Sequence, residues 1–424
     1  MLVKLAYGDT GLDVEFPDKI TSVVEPDYIP GLPDELAAIS TVLRNPIGVK
    51  PLRQLVAPYQ TIAVSICDIT RPSPTGTILP SILKEVSHVP KENIFILVAT
   101  GTHRANSQKE LIEMLGENIV NNYQVINHDC FEDSNLTLTA YTSDRTPIWL
   151  NKTWVESDIK ITCGFVEPHF FAGFSGGPKM VAPGLAGFET IMALHNADRI
   201  GSNNAVWGIT TGNPVHDTVR EIADITGVDF SIDVTINKDR EITSIYAGDL
   251  FAVHKAACQT SKRIVMKPVE NKYDIVVTTN SGYPLDQNLY QTVKGISAAA
   301  QIIKNGGTII CASECRDGLP NHGEYSKILS ESNSPADLLQ NIYKNKSTRH
   351  DQWQVQIQAK IQMRAEVLVK SRYLTNEEIR SAHFEPINNI EDAVLRSVKK
   401  HGPDSRICVL PEGPQTIPYL ANSL

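Results

Sequence analysis

Residues that could do chemistry are concentrated in three loops, each of which follows an apolar run. The loops are residues 67–74, 100–105 and 164–179, and their candidates are Asp68, Arg71, His103, His169, Ser175, Gly176, Gly177 and Lys179. Imidazole groups exchange protons near neutral pH, and guanidinium groups bind carboxylates through two parallel hydrogen bonds. These residue types therefore indicate a site that binds a small anion and moves protons.

The glycine-rich segment before Lys179 is the densest of these signals. Its glycines and Ser175 could bring backbone N–H groups close to an anion. The segment is not a Walker A loop, because Pro178 separates Gly177 from the lysine and Met180 stands where a metal-binding hydroxyl is required. The alternative is a glycine-rich turn that carries a surface lysine.

The remaining candidates also have purely structural interpretations. His195 ends a predicted helix that begins near Gly187, where a histidine often caps the helix or faces solvent. Asp68 and Arg71 could form an Asp turn and a surface ion pair. A functional role is better supported for His103, because it lies in the loop that follows a buried strand, and ligands of parallel sheets bind at such positions.

The elements that must position these residues alternate along the chain from about residue 60. Strands are predicted at 1–8, 61–66, 94–99, 158–162, 230–236, 241–246, 274–278, 307–311, 365–369 and 406–410, and helices at 76–88, 107–115, 250–263, 286–304, 335–343, 351–362 and 390–401. Most of these strands lack a clean apolar–polar alternation and are separated by helices. This pattern predicts an α/β fold whose mainly parallel sheets are covered on both faces.

A polar, proline-containing stretch at 268–272 divides the chain. We expect an N-terminal α/β domain over residues 1–267 and a C-terminal α/β domain over residues 268–424. The N-terminal domain contains the three candidate loops, so it is expected to carry the reactive side chains.

Composition excludes several classes of protein. The hydrophobic share of 42% and the charged share of 21% are typical of a globular protein, and the net charge of −9 argues against a nucleic-acid partner. No apolar run approaches the ~20 residues that span a bilayer, and the N-terminus lacks the apolar core of a signal peptide. The seven cysteines are scattered, and Cys311 and Cys315 have no partner pair at zinc-site spacing. We expect a cytoplasmic protein without disulfides and without a membrane partner.

Several ungapped motifs, taken together, resemble the nickel-dependent lactate racemase family. They are Asp68-x-Thr70-Arg71-Pro72, Ala99-Thr100-Gly101-x-His103-Arg104, His169-Phe170-Phe171-Ala172-Gly173-Phe174-Ser175-Gly176-Gly177-x-Lys179, Ile191-Met192-Ala193-x-His195, Gly282-Tyr283-Pro284-Leu285-Asp286-Gln287-Asn288-x-Tyr290-Gln291-x-Val293-Lys294-Gly295 and Asp351-Gln352-Trp353. The resemblance runs in order from about residue 45 to the C-terminus and covers both domains. It is far more specific than a single glycine loop.

The resemblance implies a cofactor and a role for each motif residue. In that family a pyridinium mononucleotide, the nickel-pincer nucleotide, holds nickel through sulfur, carbon and sulfur. It is joined to a lysine as a thioamide, and a histidine supplies the fourth nickel ligand; these positions match Lys179 and His195. His103 and His169 match paired acid/base groups on opposite faces of the substrate. The other implied contacts are Arg71, Tyr290, Gln291 and Lys294 for substrate, with Lys294 also catalytic, and Asp68, Arg71, Ser175, Gly176, Gly177 and Trp353 for the cofactor.

The implied activity is inversion of C2 in a small 2-hydroxy acid, either lactate or a relative, by proton-coupled hydride transfer. Oxidising C2 to a flat 2-keto acid avoids a doubly charged carbanion and lets the hydrogen return to either face. Such a reaction needs two bases that titrate near neutrality and a cation for the carboxylate, for which Arg71 is suited. Because the motifs divide between residues before 200 and after 280, we expect the active site in the cleft between the domains.

Two other classes of function remain as alternatives. A non-catalytic sensor of nucleotides or organic anions would not need to keep both bases and the tethering lysine. A zinc hydrolase is disfavoured because the histidines are widely spaced and no H-E-x-x-H motif occurs. Pro178 departs from the basic residue that family members often carry before the lysine, which could alter phosphate contacts or the substrate accepted. The expected partners are a 2-hydroxy acid and cofactor biosynthesis proteins, and self-association is left open.

Overall fold

The computed structural model describes residues 1–320 and 323–421. The chain forms two compact units. We name as the first unit Tyr28–His195 with Asn204–Lys262, and as the second unit Met1–Asp27 with Asn196–Asn203 and Arg263–Leu424. All seven cysteines are buried and unpaired, as the sequence predicts. Within the described residues, no helix combines the length and the apolar character needed to cross a membrane.

Strands and helices alternate over most of the described chain. The strands are β1 (Leu2–Leu5), β2 (Leu12–Glu15), β3 (Thr21–Val23), β4 (Ile62–Cys67), β5 (Ile94–Ala99), β6 (Gln124–Asn127), β7 (Leu136–Tyr141), β8 (Pro147–Asn151), β9 (Ile159–Phe165), β10 (Pro168–His169), β11 (Gly173–Phe174), β12 (Phe230–Ile236), β13 (Ile242–Gly248), β14 (Met266–Val269), β15 (Tyr273–Thr279), β16 (Ile303–Ala312), β17 (Glu366–Lys370), β18 (Glu385–Pro386), β19 (Ile407–Leu410) and β20 (Ile417–Leu420). The helices are α1 (Glu35–Arg44), α2 (Leu52–Leu55), α3 (Thr75–Glu85), α4 (Gln108–Leu115), α5 (Glu117–Asn122), α6 (Lys152–Glu156), α7 (Phe188–Leu194), α8 (Ala197–Gly201), α9 (Pro214–Thr226), α10 (Leu250–Val265), α11 (Leu289–Ala299), α12 (Tyr325–Ser330), α13 (Pro335–Lys344), α14 (Gln352–Gln362), α15 (Asn376–Ser381) and α16 (Ile390–His401).

The main sheet of the first unit has the strand order β13-β12-β9-β4-β5-β6. Its strands are parallel except β13, which pairs antiparallel with β12 at one edge. Every residue of β4 is buried, because one face packs on α1 and α3 and the other on the segment that carries Lys179. The predicted α/β fold with mainly parallel sheets is thereby confirmed.

The main sheet of the second unit has the order β18-β17-β16-β15-β19-β3 and is parallel throughout. Alternate residues of β15 pack in opposite directions. Val276 joins the core cluster that contains α11, whereas Ile275 and Val277 join the cluster that contains α16. Burial on both faces explains why the middle of this strand, Ile275 to Val277, is apolar without alternation.

The domain boundary predicted near residue 267 differs from the observed division for the N-terminal segment. Residues Met1–Asp27 belong to the second unit, because β3 pairs parallel with β19 at the edge of that sheet. Asn196–Asn203 joins the second unit as well, through hydrogen bonds from α14 side chains to the carbonyls of Ala197 and Gly201. The predicted helix at 286–304 is also too long, since α11 ends at Ala299 and β16 begins at Ile303.

Candidate active site

Three loops of the first unit meet at the carboxyl edge of its main sheet. They follow β4, β5 and β9, and β4 lies between the other two strands. Gly184 links two of them, since its carbonyl accepts the N–H of Gly101 at 3.0 Å and its own N–H donates to the carbonyl of Lys179 at 3.1 Å. A side chain at Gly184 would collide with Ala99, its Cβ falling 2.8 Å from that residue's Cβ. The loop of His103 and the loop of Lys179 are therefore held against each other.

His103 is paired with a buried carboxylate. Its Nδ1 lies 2.9 Å from Oδ2 of Asp68, and the hydroxyl of Thr70 donates to the same carboxylate. Burial by itself would raise the pKa of Asp68, but the hydrogen bond and charge of His103, with Arg71 and Thr70, outweigh burial and lower it. An ionised Asp68 keeps a proton on Nδ1 of His103 and leaves the lone pair on Nε2. The imidazole is 44% exposed, so a substrate can reach it.

The ring of Phe171 brings together three residues that the sequence singled out. Its centroid lies 4.5 Å from that of His169 and 5.3 Å from that of His195, in both cases edge to face. The ammonium nitrogen of Lys179 lies 5.8 Å from the same centroid. Asn213, which caps α9 and is completely buried, donates to the carbonyl of Phe171 at 2.8 Å and so fixes this part of the backbone.

His195 has the tautomer that a metal ligand requires. Its Nδ1 lies 2.7 Å from the carbonyl oxygen of Ile191, one turn earlier in α7. A carbonyl oxygen only accepts, so Nδ1 carries a hydrogen, and in the neutral ring Nε2 carries the lone pair. Backbone carbonyls commonly orient metal-binding histidines in this way.

His169 is oriented differently from His103. The backbone N–H of Ala172 donates to its Nδ1 at 3.2 Å, which in the neutral ring places the hydrogen on Nε2. His169 pairs with Gly173 across the short β10–β11 turn, so its backbone is fixed. The two histidines therefore have opposite tautomers in this structure.

The glycine-rich segment does not form the open anion cradle that its composition suggested. The N–H of Ser175 donates to the carbonyl of Glu167, and the N–H of Gly177 donates to Oδ1 of Asp233. The hydroxyl of Ser175 donates to the carbonyl of Phe165 at 2.9 Å. These groups are already used by protein acceptors, and Gly176 is buried with them. The loop is therefore packed inward, and the cofactor contacts expected of Ser175, Gly176 and Gly177 stay predictions.

A buried polar cluster beneath the glycine-rich segment was missed in the sequence. Asp233 on β12 is completely buried, as is His254 on α10 apart from 2% of its surface. His254 Nε2 lies 3.0 Å from the carbonyl oxygen of Ser175, and its ring stacks on that of His216 at 5.5 Å. A charged residue within the apolar run 230–236 was the available signal for Asp233.

Asp233 should make the protein less stable as the pH rises from about 4 to about 7. Burial raises the pKa of its carboxyl to about 7, and the hydrogen bond from Gly177 only partly offsets this. An unfolded aspartate titrates near ~3.9, so in this interval the folded state binds more protons and loses stability with rising pH. Asp233→Asn removes the effect. The free energy of unfolding of the variant, relative to the parent, should increase by about 2–3 kcal/mol between about pH 5 and about pH 7.

The comparison of variant and parent is needed because two histidines act in the opposite direction. Burial lowers the pKa of His216 to about 3, with a further contribution from His254, and burial lowers the pKa of His254 to about 4. Their stabilising effect is lost as the pH falls below ~6.5, the value for an unfolded histidine. Both proteins carry these histidines, so the difference isolates Asp233. Denaturant titrations at several pH values that gave a constant difference would contradict the assignment.

The second unit positions its candidate residues on α11 and α14. Asn288 caps α11 by accepting the N–H of Gln291, and Gln291 and Lys294 lie one turn apart on that helix. The indole N–H of Trp353, at the start of α14, donates to the hydroxyl of Tyr290 at 3.1 Å. Tyr290, Gln291 and Lys294 thus lie on one helix, and Trp353 contacts it through Tyr290; the roles of these residues at a site stay predictions.

Close packing fixes α11 against β15. A Cβ on Gly295 would fall 1.9 Å from the carbonyl oxygen of Thr279, and the N–H of Gly295 donates to the side chain of Asn280 at 3.0 Å. No larger residue fits here without moving the helix, so glycine sets the distance at which Gln291 and Lys294 lie from the carboxyl end of the strand.

Side chains that commonly bind metals are not clustered among the described residues. Across the part of the chain that the structure describes, no three histidine, cysteine, aspartate or glutamate side chains are grouped as a protein-held metal requires.

Known proteins resemble the chain along nearly its whole length. Residues 7–208 match the family described as Lactate racemase N-terminal domain, and residues 269–417 match Lactate racemase C-terminal domain. The lactate racemase of Lactiplantibacillus plantarum is 36% identical over 382 residues, which cover 89% of this chain and 90% of the relative. The lactate racemase of Thermoanaerobacterium thermosaccharolyticum is 33% identical over 425 residues, covering 98% of each.

Solved structures agree with these matches. The lactate racemase apoprotein from Thermoanaerobacterium thermosaccharolyticum superposes with a TM-score of 0.93 at 32% identity, covering 99% of this chain and all of the other. A protein from Thermotoga maritima shares the fold, with a TM-score of 0.70 at 18% identity over 93% of this chain. The chain is therefore an isomerase of the racemase class and belongs to the lactate racemase family.

Proposed function

We propose that this racemase inverts C2 of a small 2-hydroxy acid, with lactate as the first candidate substrate. The observation that carries the proposal is the gathering of His169, Lys179 and His195 around the ring of Phe171. Two relatives that are more than 30% identical over most of their length are named lactate racemase, which supports lactate. That substrate binds between the two units stays a prediction.

The side chains around Phe171 fit a nickel-pincer nucleotide. Such a group brings three of the four nickel donors itself, so it needs a single protein ligand and a point of attachment. His195 offers Nε2 as the ligand, because Nδ1 is occupied by the carbonyl of Ile191. Lys179 offers the amine for the covalent link, and cofactor biosynthesis proteins would supply the nucleotide. When bound, the group would accept the hydrogen of C2 as hydride and return it.

The chain's own residues would hold the substrate and move its hydroxyl proton. With Nδ1 bonded to Asp68, His103 presents the Nε2 lone pair and can take a proton there. The carboxylate of Asp68 stabilises the imidazolium that results. Arg71, three residues along the same loop, has the planar fork that binds a carboxylate through two hydrogen bonds. His169 would serve the opposite face of the substrate.

The C2 hydrogen should be retained when the reaction is run in heavy water. A hydrogen that leaves as hydride does not exchange with solvent, whereas one removed as a proton reaches a basic group that does. Cofactor-loaded protein should be assayed against a panel of 2-hydroxy acids, each supplied as a single enantiomer. The inverted product is then analysed by proton NMR and mass spectrometry for protium at C2.

Two outcomes of this experiment would contradict the proposal. Inversion of no 2-hydroxy acid in the panel by fully loaded protein would exclude the activity. Extensive deuterium at C2 of the inverted product would exclude hydride transfer even if the racemisation itself were observed.

A further inference from the structure

We propose that Asp233 is a positioning residue for Lys179, acting through the turn Gly177–Met180 that carries the lysine. The inference rests on the proposed role of Lys179 as the attachment point. Asp233 touches neither substrate nor cofactor in this proposal. It holds the backbone from behind, at the N–H of Gly177, where the turn begins.

The packing around Asp233 is specific for this contact. Asp233 lies opposite Gly164 in the parallel pairing of β12 and β9, and its side chain is completely buried. A Cβ on Gly164 would fall 2.8 Å from Oδ1 of Asp233, and a Cβ on Gly176 would fall 2.9 Å from the same atom. Two glycines are therefore needed to let the carboxyl reach the N–H of Gly177, which it accepts at 3.1 Å.

A second set of contacts holds Ser175, the residue that precedes Gly176. The carbonyl of Ser175 is bonded to the ring of His254, and the hydroxyl of Ser175 donates to β9 at Phe165. Gly177 fits tightly over His254, because an added Cβ would fall 2.4 Å from the imidazole ring. Residues 175–177, immediately before Lys179, are thus held by hydrogen bonds to β9, β12 and α10.

A buried carboxyl at Asp233 lowers the stability of the fold. Its presence is therefore better explained by its hydrogen bond to the turn Gly177–Met180 than by packing. Oδ2 of Asp233 has no hydrogen-bond partner within the described residues, so a buried carboxyl makes a single hydrogen bond. Burial without compensation is unfavourable for such a group and raises its pKa. An apolar residue at this position of β12 would pack at lower cost but would leave the N–H of Gly177 without an acceptor.

The contact reaches Lys179 through one short turn of backbone. Gly176 has φ of +71° and ψ of −165°, a conformation suited to glycine, and its carbonyl accepts the N–H of Lys179 at 3.1 Å. The carbonyl of Met180 accepts from the hydroxyl of Ser65 on β4. With both ends of the turn fixed, the backbone sets the direction in which the lysine side chain starts, and its ammonium nitrogen lies 5.8 Å from the centroid of the Phe171 ring.

The test compares variants of two buried polar residues on β12. Asp233→Ala removes the acceptor, Asp233→Asn keeps an oxygen that can accept, and Ser231→Ala removes a buried hydroxyl that bonds Thr162 instead of the turn. Amide hydrogen exchange of residues 175–180 is measured in cofactor-free protein. Covalent loading of Lys179 is measured by the mass of its peptide after co-expression with the cofactor pathway.

We expect Asp233→Ala to speed exchange of the Gly177 amide by about tenfold or more and to slow loading by about 10–100-fold. Asp233→Asn and Ser231→Ala should stay within about threefold of the parent in both measurements. Should Asp233→Ala not fold, Asp233→Ser replaces it, because its hydroxyl is too short to reach Gly177.

The two measurements, amide hydrogen exchange and covalent loading of Lys179, test the role of Asp233 and the proposed function separately. Equal values for Asp233→Ala and Ser231→Ala would overturn the positioning role, and so would an Asp233→Asn variant as defective as Asp233→Ala. If the parent itself gains no mass at Lys179, the proposed attachment fails. Faster exchange in Asp233→Ala alone would then still support the role of Asp233 in holding the turn.

Discussion

Protein with Lys179→Arg should fold like the parent, gain no nucleotide mass at residue 179 and racemise no 2-hydroxy acid above background. The lysine ammonium lies 5.8 Å from the ring of Phe171, and an arginine can keep a similar cation–π contact. The guanidinium nevertheless stays protonated and delocalised at all accessible pH values, so it cannot form the amide-type bond that a lysine amine can. The substitution therefore separates charge at this position from covalent attachment.

A matched control is available in the same unit. Lys160 lies on β9, is also partly buried, and bonds the carbonyl of Ser157 with its amine. Lys160→Arg should load and turn over like the parent. Both variants are purified from cells that express the cofactor pathway, and the intact mass, nickel content and racemisation rate are measured. A fully active Lys179→Arg protein would refute covalent attachment.

The strands that hold the site could be predicted because each is a mainly apolar run. β4 and β5 lie within one residue of their predicted bounds, and both are central strands of a parallel sheet, buried by helices or loops on both faces. Their order could not be predicted, because every central strand has the same apolar composition. The meeting of the loops after β4, β5 and β9 followed from the general rule for parallel sheets.

The segments that the sequence misassigned depend on distant partners. β3 has only three residues, Thr21–Val23, and its pairing with β19 lies more than 380 residues away along the chain. Nothing in so short a run specifies a strand, so the first 27 residues were assigned to the wrong unit. The glycine-rich segment could not be assigned from the sequence, for a different reason. Its composition is shared by anion-binding loops and by tightly packed turns, and the packing partners Asp233 and His254 are distant in sequence.

His103→Ala and His169→Ala should each lower net inversion by about 10²–10⁴-fold, starting from either enantiomer. Each turnover requires one histidine to take the hydroxyl proton on one face and the other to supply a proton on the opposite face. Loss of either partner therefore stops inversion in both directions. A structural role alone would instead lower stability and leave the rate per folded molecule unchanged.

The two histidines differ in a way that a third variant can test. His103 is backed by Asp68 at 2.9 Å, whereas Nδ1 of His169 accepts an N–H from Ala172. Asp68→Asn keeps the size of the side chain but removes the charge that stabilises the imidazolium of His103. Asparagine can still accept the N–H of His103, but a neutral acceptor makes a hydrogen bond weaker by about 1–1.5 kcal/mol, which corresponds to a rate about tenfold lower and is less than the loss in His103→Ala.

His88 provides the control for a histidine replaced elsewhere in the same unit. Its Nε2 bonds the carbonyl of Val56 at 2.9 Å. Val56 and His88 precede β4 and β5, whereas the loops of the site follow these strands, so His88→Ala should racemise at the parental rate. Rates are measured from each enantiomer with protein of equal cofactor content, and thermal unfolding checks that the variants are folded. A near-normal rate in His103→Ala or His169→Ala would make that residue structural. The proton would then have to be carried by another side chain or by a water molecule, and the pairing of bases across the substrate would be wrong.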